Sequence, residues 1–326
     1  MHSSSETISA SASGSAASAA ASASAAGPVS AAGPVSAAAS GTWELGDLTV
    51  NRLGFGSMRL PQNGAAFADR ASSDRDRSMG VLRRAVELGV NHIDTAAFYF
   101  SPLRSANELI NSALSPYSDD LVITTKVGPG RDPSGAFVWA APEQLRGQVE
   151  ENLRQLGRDH LDVVNLRLAG SQAAASVADH FGALAELREA GLIRHLGISN
   201  TTPEQLAEAR SIAPVVCVQN AYGIGSPPED HAFLRYCGEQ GIAFVPFFAI
   251  AGAGREEGAS RAHDETVIEV ARGHGATPAQ VRLAWTLHQG PHVLAIPGTG
   301  NPDHLVENVA AGALRLTDED LALLTR

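Results

Sequence analysis

The chain has 326 residues, 44% of them hydrophobic, and its formal net charge of −11 argues against nonspecific nucleic-acid binding, which needs a positively charged surface. It contains no run of about 18 apolar residues, the length that predicts a membrane-spanning helix. The two cysteines, Cys217 and Cys237, lie in apolar segments and are interpreted as buried thiols of a reducing compartment, so a cytoplasmic protein is expected.

The N-terminal 40 residues are almost entirely Ala, Ser, Gly, Pro and Val, and they contain the hexapeptide Ala-Ala-Gly-Pro-Val-Ser twice between Ser24 and Ser36. Such a segment has too little apolar bulk to offset the entropy that folding removes. Residues 1–40 are therefore predicted to form a disordered tail. No Lys or Arg precedes Arg52, which argues against a signal or transit peptide because both need an early positive charge.

Downstream of the tail, short apolar strands alternate with helical segments. A hairpin is predicted at 42–51, with its turn at Gly46-Asp47. The predicted strands are 52–58, 92–94, 121–126, 161–166, 193–200, 215–219, 243–247 and 293–297. The predicted helices are 75–88, 107–114, 141–156, 177–190, one that begins at 202, 228–240, 263–274, 277–289, 301–311 and 317–324. Strands that alternate with helices in this way predict one α/β domain at 41–326, a (β/α)8 barrel with its chemistry at the carboxyl ends of the strands.

Three polar residues at two neighbouring strand ends suggest proton transfer. Asp94 ends the second barrel strand, Tyr99 lies in the loop that follows, and Lys126 ends the third strand. Lys126 is the only lysine among the 24 Lys and Arg residues, and burial can shift the pKa of a lysine but not that of an arginine. A neighbouring cation makes a phenol more acidic, and a carboxylate keeps that cation charged. We therefore predict that Lys126, held charged by Asp94, lowers the pKa of Tyr99 for acid–base work.

The pattern Asp94-Thr-Ala-x-x-Tyr99, followed by Asn107-Glu-Leu-Ile110 and the strand-end lysine, resembles the aldo-keto reductases. That family consists of (β/α)8 barrels that transfer a hydride between NADPH and a carbonyl group. The resemblance covers roughly residues 42–326 and implies that the hairpin closes the amino-terminal mouth of the barrel. It also implies that Tyr99 gives a proton to the carbonyl oxygen, with Lys126 and Asp94 adjusting its pKa.

The resemblance also implies two groups of cofactor-binding residues. Those that match the nicotinamide site are Ser199, Asn200, Gln219 and Phe247, the last at a position where an aromatic ring stacks on the nicotinamide. Those that match the site of the adenosine 2′-phosphate and adenine are Gly298, Thr299, Gly300, His304, Glu307 and Asn308. Without a ligand, Ser199-Asn200 equally reads as a helix N-cap, and Asn301-Pro302-Asp303 as a turn before a capped helix.

Two parts of the sequence depart from the common family pattern. Many members have a lysine at Gly298 and an arginine at His304, both of which bind the 2′-phosphate. NADPH remains the expected cofactor because the Gly-Thr form resembles an NADPH-dependent bacterial branch, and NADH remains an alternative. The usual catalytic histidine is replaced by Arg167, five residues after Asp162. Arginine also donates a hydrogen bond to the substrate oxygen, but its permanent charge favours an anionic or electron-rich substrate.

The segments 162–167 and 245–248 resemble the branch that includes bacterial pyridoxal reductases, so pyridoxal is a candidate substrate. The predicted function is reduction of a small-molecule aldehyde or ketone, or the reverse reaction, without a nucleic-acid or membrane partner. Two alternatives are an NADP(H)-binding regulatory subunit with little turnover and a class I aldolase that forms a Schiff base on Lys126. The 11 histidines form no cluster with zinc-ligand spacing, so no metal site is predicted. Nothing in the sequence indicates an oligomeric state.

Overall fold

The computed structural model describes residues 35–62, 73–101, 103–131, 137–168, 175–247, 249–250 and 264–325. The predictions for residues 1–34, for Phe248 and for the start of the helix at 263 lie outside the described residues. Of the segment predicted as a tail, Ala37–Ser40 lie among the described residues and form one turn of 3-10 helix. Ala37 is fully buried in the core, and the Ser40 hydroxyl accepts a hydrogen bond from the Leu53 amide at 3.0 Å. Docking of this turn on the domain explains its order.

The strands are short, and most of them are parallel. They are β1 (Thr42–Leu45), β2 (Leu48–Asn51), β3 (Phe55–Gly56), β4 (His92–Asp94), β5 (Phe100–Ser101), β6 (Arg104–Ser105), β7 (Val122–Val127), β8 (Pro129–Arg131), β9 (Phe137–Trp139), β10 (Leu161–Arg167), β11 (Ile193–Ser199), β12 (Val215–Gln219) and β13 (Ala243–Phe244). Seven of them form one parallel sheet in the order β13-β12-β11-β10-β7-β4-β3. The small antiparallel hairpins β5–β6 and β8–β9, which follow β4 and β7, were not predicted.

The sheet closes into a barrel through the segment predicted as the eighth strand. Val293 makes a parallel bridge to Phe244 of β13, and Ala295 makes one to Leu53, just before β3. The Ala295 amide donates to the Arg52 carbonyl at 2.8 Å, and the Leu294 amide donates to the Phe244 carbonyl at 2.9 Å. The eighth position is therefore filled by single bridges on both sides rather than by a continuous strand. The (β/α)8 prediction is confirmed.

The helices begin where the sequence supplies caps. They are α1 (Arg75–Glu87), α2 (Ala106–Leu114), α3 (Leu145–Leu156), α4 (Ala178–Glu189), α5 (Pro203–Ile212), α6 (Pro228–Glu239), α7 (Glu265–His274), α8 (Pro278–His288), α9 (Pro302–Ala310) and α10 (Asp318–Leu324). A cap residue followed directly by proline opens α5, α8 and α9, at Thr202, Thr277 and Asn301. Helix α3 starts at Leu145, later than the predicted start at 141, because Pro142–Gln144 form a 3-10 turn. None of the helices described here is long and apolar enough to cross a membrane.

The hairpin β1–β2 fills the amino-terminal end of the barrel, as predicted. Leu45 and Val50 are fully buried in a cluster with side chains from near the starts of the barrel strands, among them Val122, Val163 and Cys217. Cys217 and Cys237 are both buried and unpaired, in agreement with their interpretation as core thiols. Packing at this end leaves the opposite, carboxyl end of the strands for chemistry.

Candidate active site

A buried ion pair lies at the carboxyl ends of β4 and β7. The Lys126 ammonium donates to Asp94 Oδ1 at 2.6 Å and to the Thr95 carbonyl at 3.0 Å. Each of the two charged residues is only 4% exposed. Parallel pairing of β4 with β7 places both strand ends at the same mouth of the barrel. The sequence prediction that these two residues meet is therefore confirmed.

Tyr99 completes this group from the loop after β4. Its phenol oxygen accepts a side-chain hydrogen bond from Lys126, whose Nζ lies 4.9 Å from the ring centroid. The ring packs edge-on against Phe98 at 5.0 Å, and the backbone is held by hydrogen bonds to Ala96 and Ala106. The structure thus brings together the predicted phenol, ammonium and carboxylate.

The direction of the Tyr99 pKa differs from the prediction. Burial, which penalises the phenolate, outweighs the attraction of Lys126 and raises the pKa of Tyr99 above its ordinary value of 10.0. The pKa of Lys126 is also raised: burial alone would lower it, but Asp94 and Tyr99 together outweigh that effect. Tyr99 therefore holds its proton at neutral pH and Lys126 holds its charge, which is the state that a proton donor to a carbonyl requires.

A second group of predicted residues adjoins the ion pair. Gln219, at the end of β12, donates from Nε2 to Asp94 Oδ2 at 2.8 Å. The Ser199 hydroxyl donates to the Gln219 carbonyl at 2.8 Å and accepts from Arg167 Nη1 at 3.0 Å. The Arg167 guanidinium carbon lies 4.5 Å from the centroid of the Phe247 ring. Asp94 thus links Lys126 to Gln219, and Gln219 is in turn linked to Ser199 and Arg167 by hydrogen bonds.

Gln219 also carries the observation that bears most directly on a cofactor. Its Oε1 atom is buried and accepts no hydrogen bond within the described part of the chain. A buried carbonyl oxygen without a donor is costly, and a carboxamide N–H of a ligand would satisfy it. The residues present therefore fit a nicotinamide at this position.

Asn200 has a role in the backbone that the N-cap interpretation did not anticipate. Its φ of 60° lies in the left-handed region, which asparagine tolerates better than most residues. Its side-chain amide donates to the Leu168 carbonyl at 2.9 Å. The cap of α5 is Thr202, not Ser199-Asn200, so that alternative is wrong.

The predicted adenosine segment forms a turn followed by a capped helix. The Thr299 hydroxyl accepts from the Asn301 amide at 3.0 Å, and Asn301 Oδ1 accepts from the Asp303 amide at 3.0 Å. On α9, His304 and Glu307 are exposed, whereas Asn308 is buried. The turn and cap therefore exist without a ligand, and the exposed residues of α9 remain open to one.

The absence of a lysine at position 298 has a steric reason. A Cβ atom on Gly298 would lie 2.3 Å from the Gly56 carbonyl oxygen, and one on Gly56 would lie 2.6 Å from the Ile296 carbonyl oxygen. Both contacts involve backbone oxygens, one of β3 and one of the closing segment, and side-chain rotation cannot relieve them. Any residue larger than glycine at 298 requires the backbone to move.

Gly298→Ala is accordingly expected to lower the free energy of unfolding by about 1–3 kcal/mol, the usual cost of overpacking. Gly300→Ala is the matched control, since no described atom lies within 4 Å of its added Cβ, and we expect a change within about 0.5 kcal/mol. Denaturant unfolding of both variants measures the difference. Equal free energies of unfolding for the two variants would show that the close approach of residue 298 to Gly56 does not destabilise Gly298→Ala.

A buried polar network behind the ion pair escaped the sequence analysis. The Thr95 hydroxyl donates to Asn107 Oδ1 at 2.7 Å, and Asn107 Nδ2 donates to Asn152 Oδ1 at 2.9 Å. The Thr125 hydroxyl donates to the same Asn152 oxygen at 2.6 Å. Since Thr95 and Thr125 flank Asp94 and Lys126, the network fixes the two strand ends relative to each other. Its signal in the sequence is a polar Asn152 on the apolar stripe of α3.

The two unpredicted hairpins form walls of a cavity next to the ion pair. Its volume is about 700 Å³, within the range of small-molecule sites. Lys126 lines it, together with Phe100 and Leu103 of the first hairpin and Val138 of the second. Residues that follow β4 and β7 therefore line a cavity that Lys126 borders, whereas Tyr99 and Gln219 are not among its lining residues. The described residues contain no group of three His, Cys, Asp or Glu side chains placed to hold a metal ion.

A (β/α)8 barrel with a tyrosine, a lysine and an aspartate joined at its carboxyl-end mouth defines a class of carbonyl oxidoreductases. The sequence model of the aldo/keto reductase family matches residues 52–326. This chain belongs to the aldo/keto reductase family and is an oxidoreductase.

Individual relatives agree with this assignment. Pyridoxine 4-dehydrogenase of Escherichia coli is 44% identical to the chain over 291 residues, which is 88% of this chain and 98% of that protein. The structure of a thermostable aldo-keto reductase in complex with epalrestat superposes with a TM-score of 0.73 at 30% identity, covering 87% of this chain and 98% of that one. An aldo-keto reductase from Klebsiella pneumoniae in complex with NADPH gives a TM-score of 0.69 at 27% identity, covering 85% and 90% of the two chains.

Proposed function

We propose that this protein reduces an aldehyde to an alcohol with NADPH and that Tyr99 is the proton donor. The observation that carries the proposal is the joined set of Tyr99, Lys126 and Asp94. A bound NADPH would supply the hydride for the carbonyl carbon. The Tyr99 hydroxyl donates its proton to the carbonyl oxygen, and the Lys126 ammonium stabilises the phenolate that results. Asp94 keeps Lys126 charged and oriented through the 2.6 Å contact.

Several residues would hold the cofactor. Gln219, with its unsatisfied buried oxygen, and Ser199 would bind the nicotinamide carboxamide, and Phe247 would pack on the ring. The loop at Gly298, Thr299 and Gly300 and the exposed residues of α9 would bind the adenosine half. NADPH as the cofactor is supported by the similar Klebsiella pneumoniae protein, which was crystallised with it.

The substrate that we propose is pyridoxal or a similar aldehyde with an ionisable hydroxyl beside the carbonyl. Support comes from the Escherichia coli relative, whose name is pyridoxine 4-dehydrogenase. Arg167 adds a physical argument, because it stands where many relatives have a histidine and its charge acts to lower the pKa of Tyr99. A guanidinium at the mouth attracts the phenolate oxygen of such a substrate. Reduction of pyridoxal consumes one NADPH and one proton and yields pyridoxine and NADP⁺.

The test is the loss of NADPH absorbance when the purified protein receives pyridoxal or an uncharged aromatic aldehyde. We expect turnover with both aldehydes and higher kcat/KM with pyridoxal. NADPH binding without turnover on any aldehyde would support the regulatory-subunit alternative instead. An adduct trapped on Lys126 by borohydride would support the aldolase. The raised pKa of Lys126 argues against that outcome, because a Schiff base needs the neutral amine.

Arg167→Leu should distinguish charged from uncharged substrates. Loss of a charge-assisted hydrogen bond is expected to lower kcat/KM for pyridoxal by roughly 10- to 100-fold, with a smaller effect on an uncharged aldehyde. Arg167→His serves as the control that retains a donor. Equal losses for both aldehydes would contradict a role for the Arg167 charge in substrate choice.

A further inference from the structure

A positive charge from α1 reaches the loop in which this chain lacks the cations of the common family pattern. Arg77 lies in the first turn of α1, where its backbone amide donates to Asp74 Oδ1 at 2.8 Å. Its side-chain Nε donates to the Gly300 carbonyl at 2.9 Å, across 223 positions of sequence. This contact joins α1 to the turn that precedes α9. It places a guanidinium beside the residues that match the 2′-phosphate site.

The Arg77 guanidinium retains donors for a ligand. Only its Nε is used in the contact with Gly300, and neither Nη atom has a hydrogen bond or ion pair within the described part of the chain. Arg77 is exposed, so a ligand in solvent can reach these groups. Guanidinium donors pair with phosphate oxygens in a fixed planar geometry that lysine lacks.

The site has no other cation at the two usual positions. A side chain at Gly298 is excluded by the Gly56 carbonyl, as described above. His304 is exposed on α9. Its neighbour in the sequence, Asp303, is an acidic residue in the first turn of the same helix. In a chain with a net charge of −11, a phosphate dianion needs local compensation. An arginine supplied by a different helix provides it without the steric conflict at 298.

We propose that Arg77 binds the 2′-phosphate of NADPH and determines the preference for NADPH over NADH. This inference rests on the proposed function, since it assigns a residue to the same cofactor site. NADH has a hydroxyl in place of the phosphate, so it gains nothing from the guanidinium. Acidic residues reduce the local positive potential and limit the size of the preference for NADPH. They are Asp74, which caps α1, and Asp76 and Asp303, which lie in the first turns of α1 and α9.

The test is a binding titration in which reduced-nicotinamide fluorescence gives Kd for NADPH and for NADH without any turnover. In Arg77→Ala, we expect the Kd for NADPH to rise about 10- to 100-fold and the Kd for NADH to change less than about twofold. Salt should weaken NADPH binding more steeply in the wild type than in the variant, because the lost contact is ionic. Arg77→Lys, which retains the charge but not the planar fork, should lie between the two.

Arg84→Ala is the matched control, since Arg84 is an exposed arginine of the same helix that pairs with Glu87 at 3.0 Å. It removes the same charge and should leave both Kd values unchanged. Equal weakening of NADPH and NADH in Arg77→Ala would assign Arg77 to loop support and overturn the inference. A wild type that binds both cofactors equally would overturn it and leave the proposed reductase intact. A wild type that binds neither cofactor would overturn both.

Discussion

Tyr99→Phe is expected to lower kcat for aldehyde reduction by about 10²- to 10⁴-fold, the usual contribution of a positioned general acid. The change removes only the hydroxyl, so the ring keeps its contact with Phe98 at 5.0 Å. Lys126 keeps its hydrogen bonds to Asp94 and to the Thr95 carbonyl. The Kd for NADPH should therefore change little, and the loss should fall on kcat.

Steady-state kinetics with a fluorescence titration of NADPH measures both quantities. Tyr117→Phe is the control, because it removes a phenol that donates to the Leu156 carbonyl at 2.7 Å, away from the strand ends. In the wild type, the raised pKa of Tyr99 predicts constant kcat for reduction from neutral pH to about pH 9. A Tyr99→Phe variant with more than a tenth of the wild-type kcat would exclude Tyr99 as the proton donor.

Lys126→Met is expected to lower the free energy of unfolding by about 3–5 kcal/mol as well as to abolish turnover, because it leaves a buried carboxylate without its cation. Within the described part of the chain, Asp94 would retain only the hydrogen bond from Gln219 Nε2 at 2.8 Å. Its side chain is 5% exposed, so water offers little compensation.

The double variant Lys126→Met/Asp94→Asn separates stability from chemistry. It removes both charges and should recover most of the lost stability, yet remain inactive because no cation stabilises the phenolate of Tyr99. Arg154→Met is the control for loss of an ion pair, since Arg154 and Glu151 form an exposed pair at 2.7 Å and its loss should leave Tm nearly unchanged. Denaturant unfolding and kcat are measured for all three variants. A double variant no more stable than Lys126→Met would contradict the account of the buried charge.

Much of the fold was predictable because its signals are local. Cap residues followed by proline mark the starts of α5, α8 and α9, and apolar runs mark the barrel strands. The meeting of Asp94 and Lys126 was also predictable, because parallel strands in a barrel bring their carboxyl ends to one mouth. The 3-10 turn at Ala37–Ser40 was not predicted. The prediction of disorder used the low apolar content of the segment, and amino-acid composition does not show whether a segment packs against the rest of the domain.

The sequence by itself determined the alternation of strands and helices and the residues at the strand ends, since these follow from local periodicity and spacing. The resemblance of its motifs indicated the family. The tertiary structure alone decided the direction of the Tyr99 pKa, because burial depends on everything packed around the phenol. It also decided that Gly298 has no room for a side chain and that Arg77 reaches Gly300. Both are contacts between segments far apart in the chain, and no local pattern records how closely two distant backbones approach.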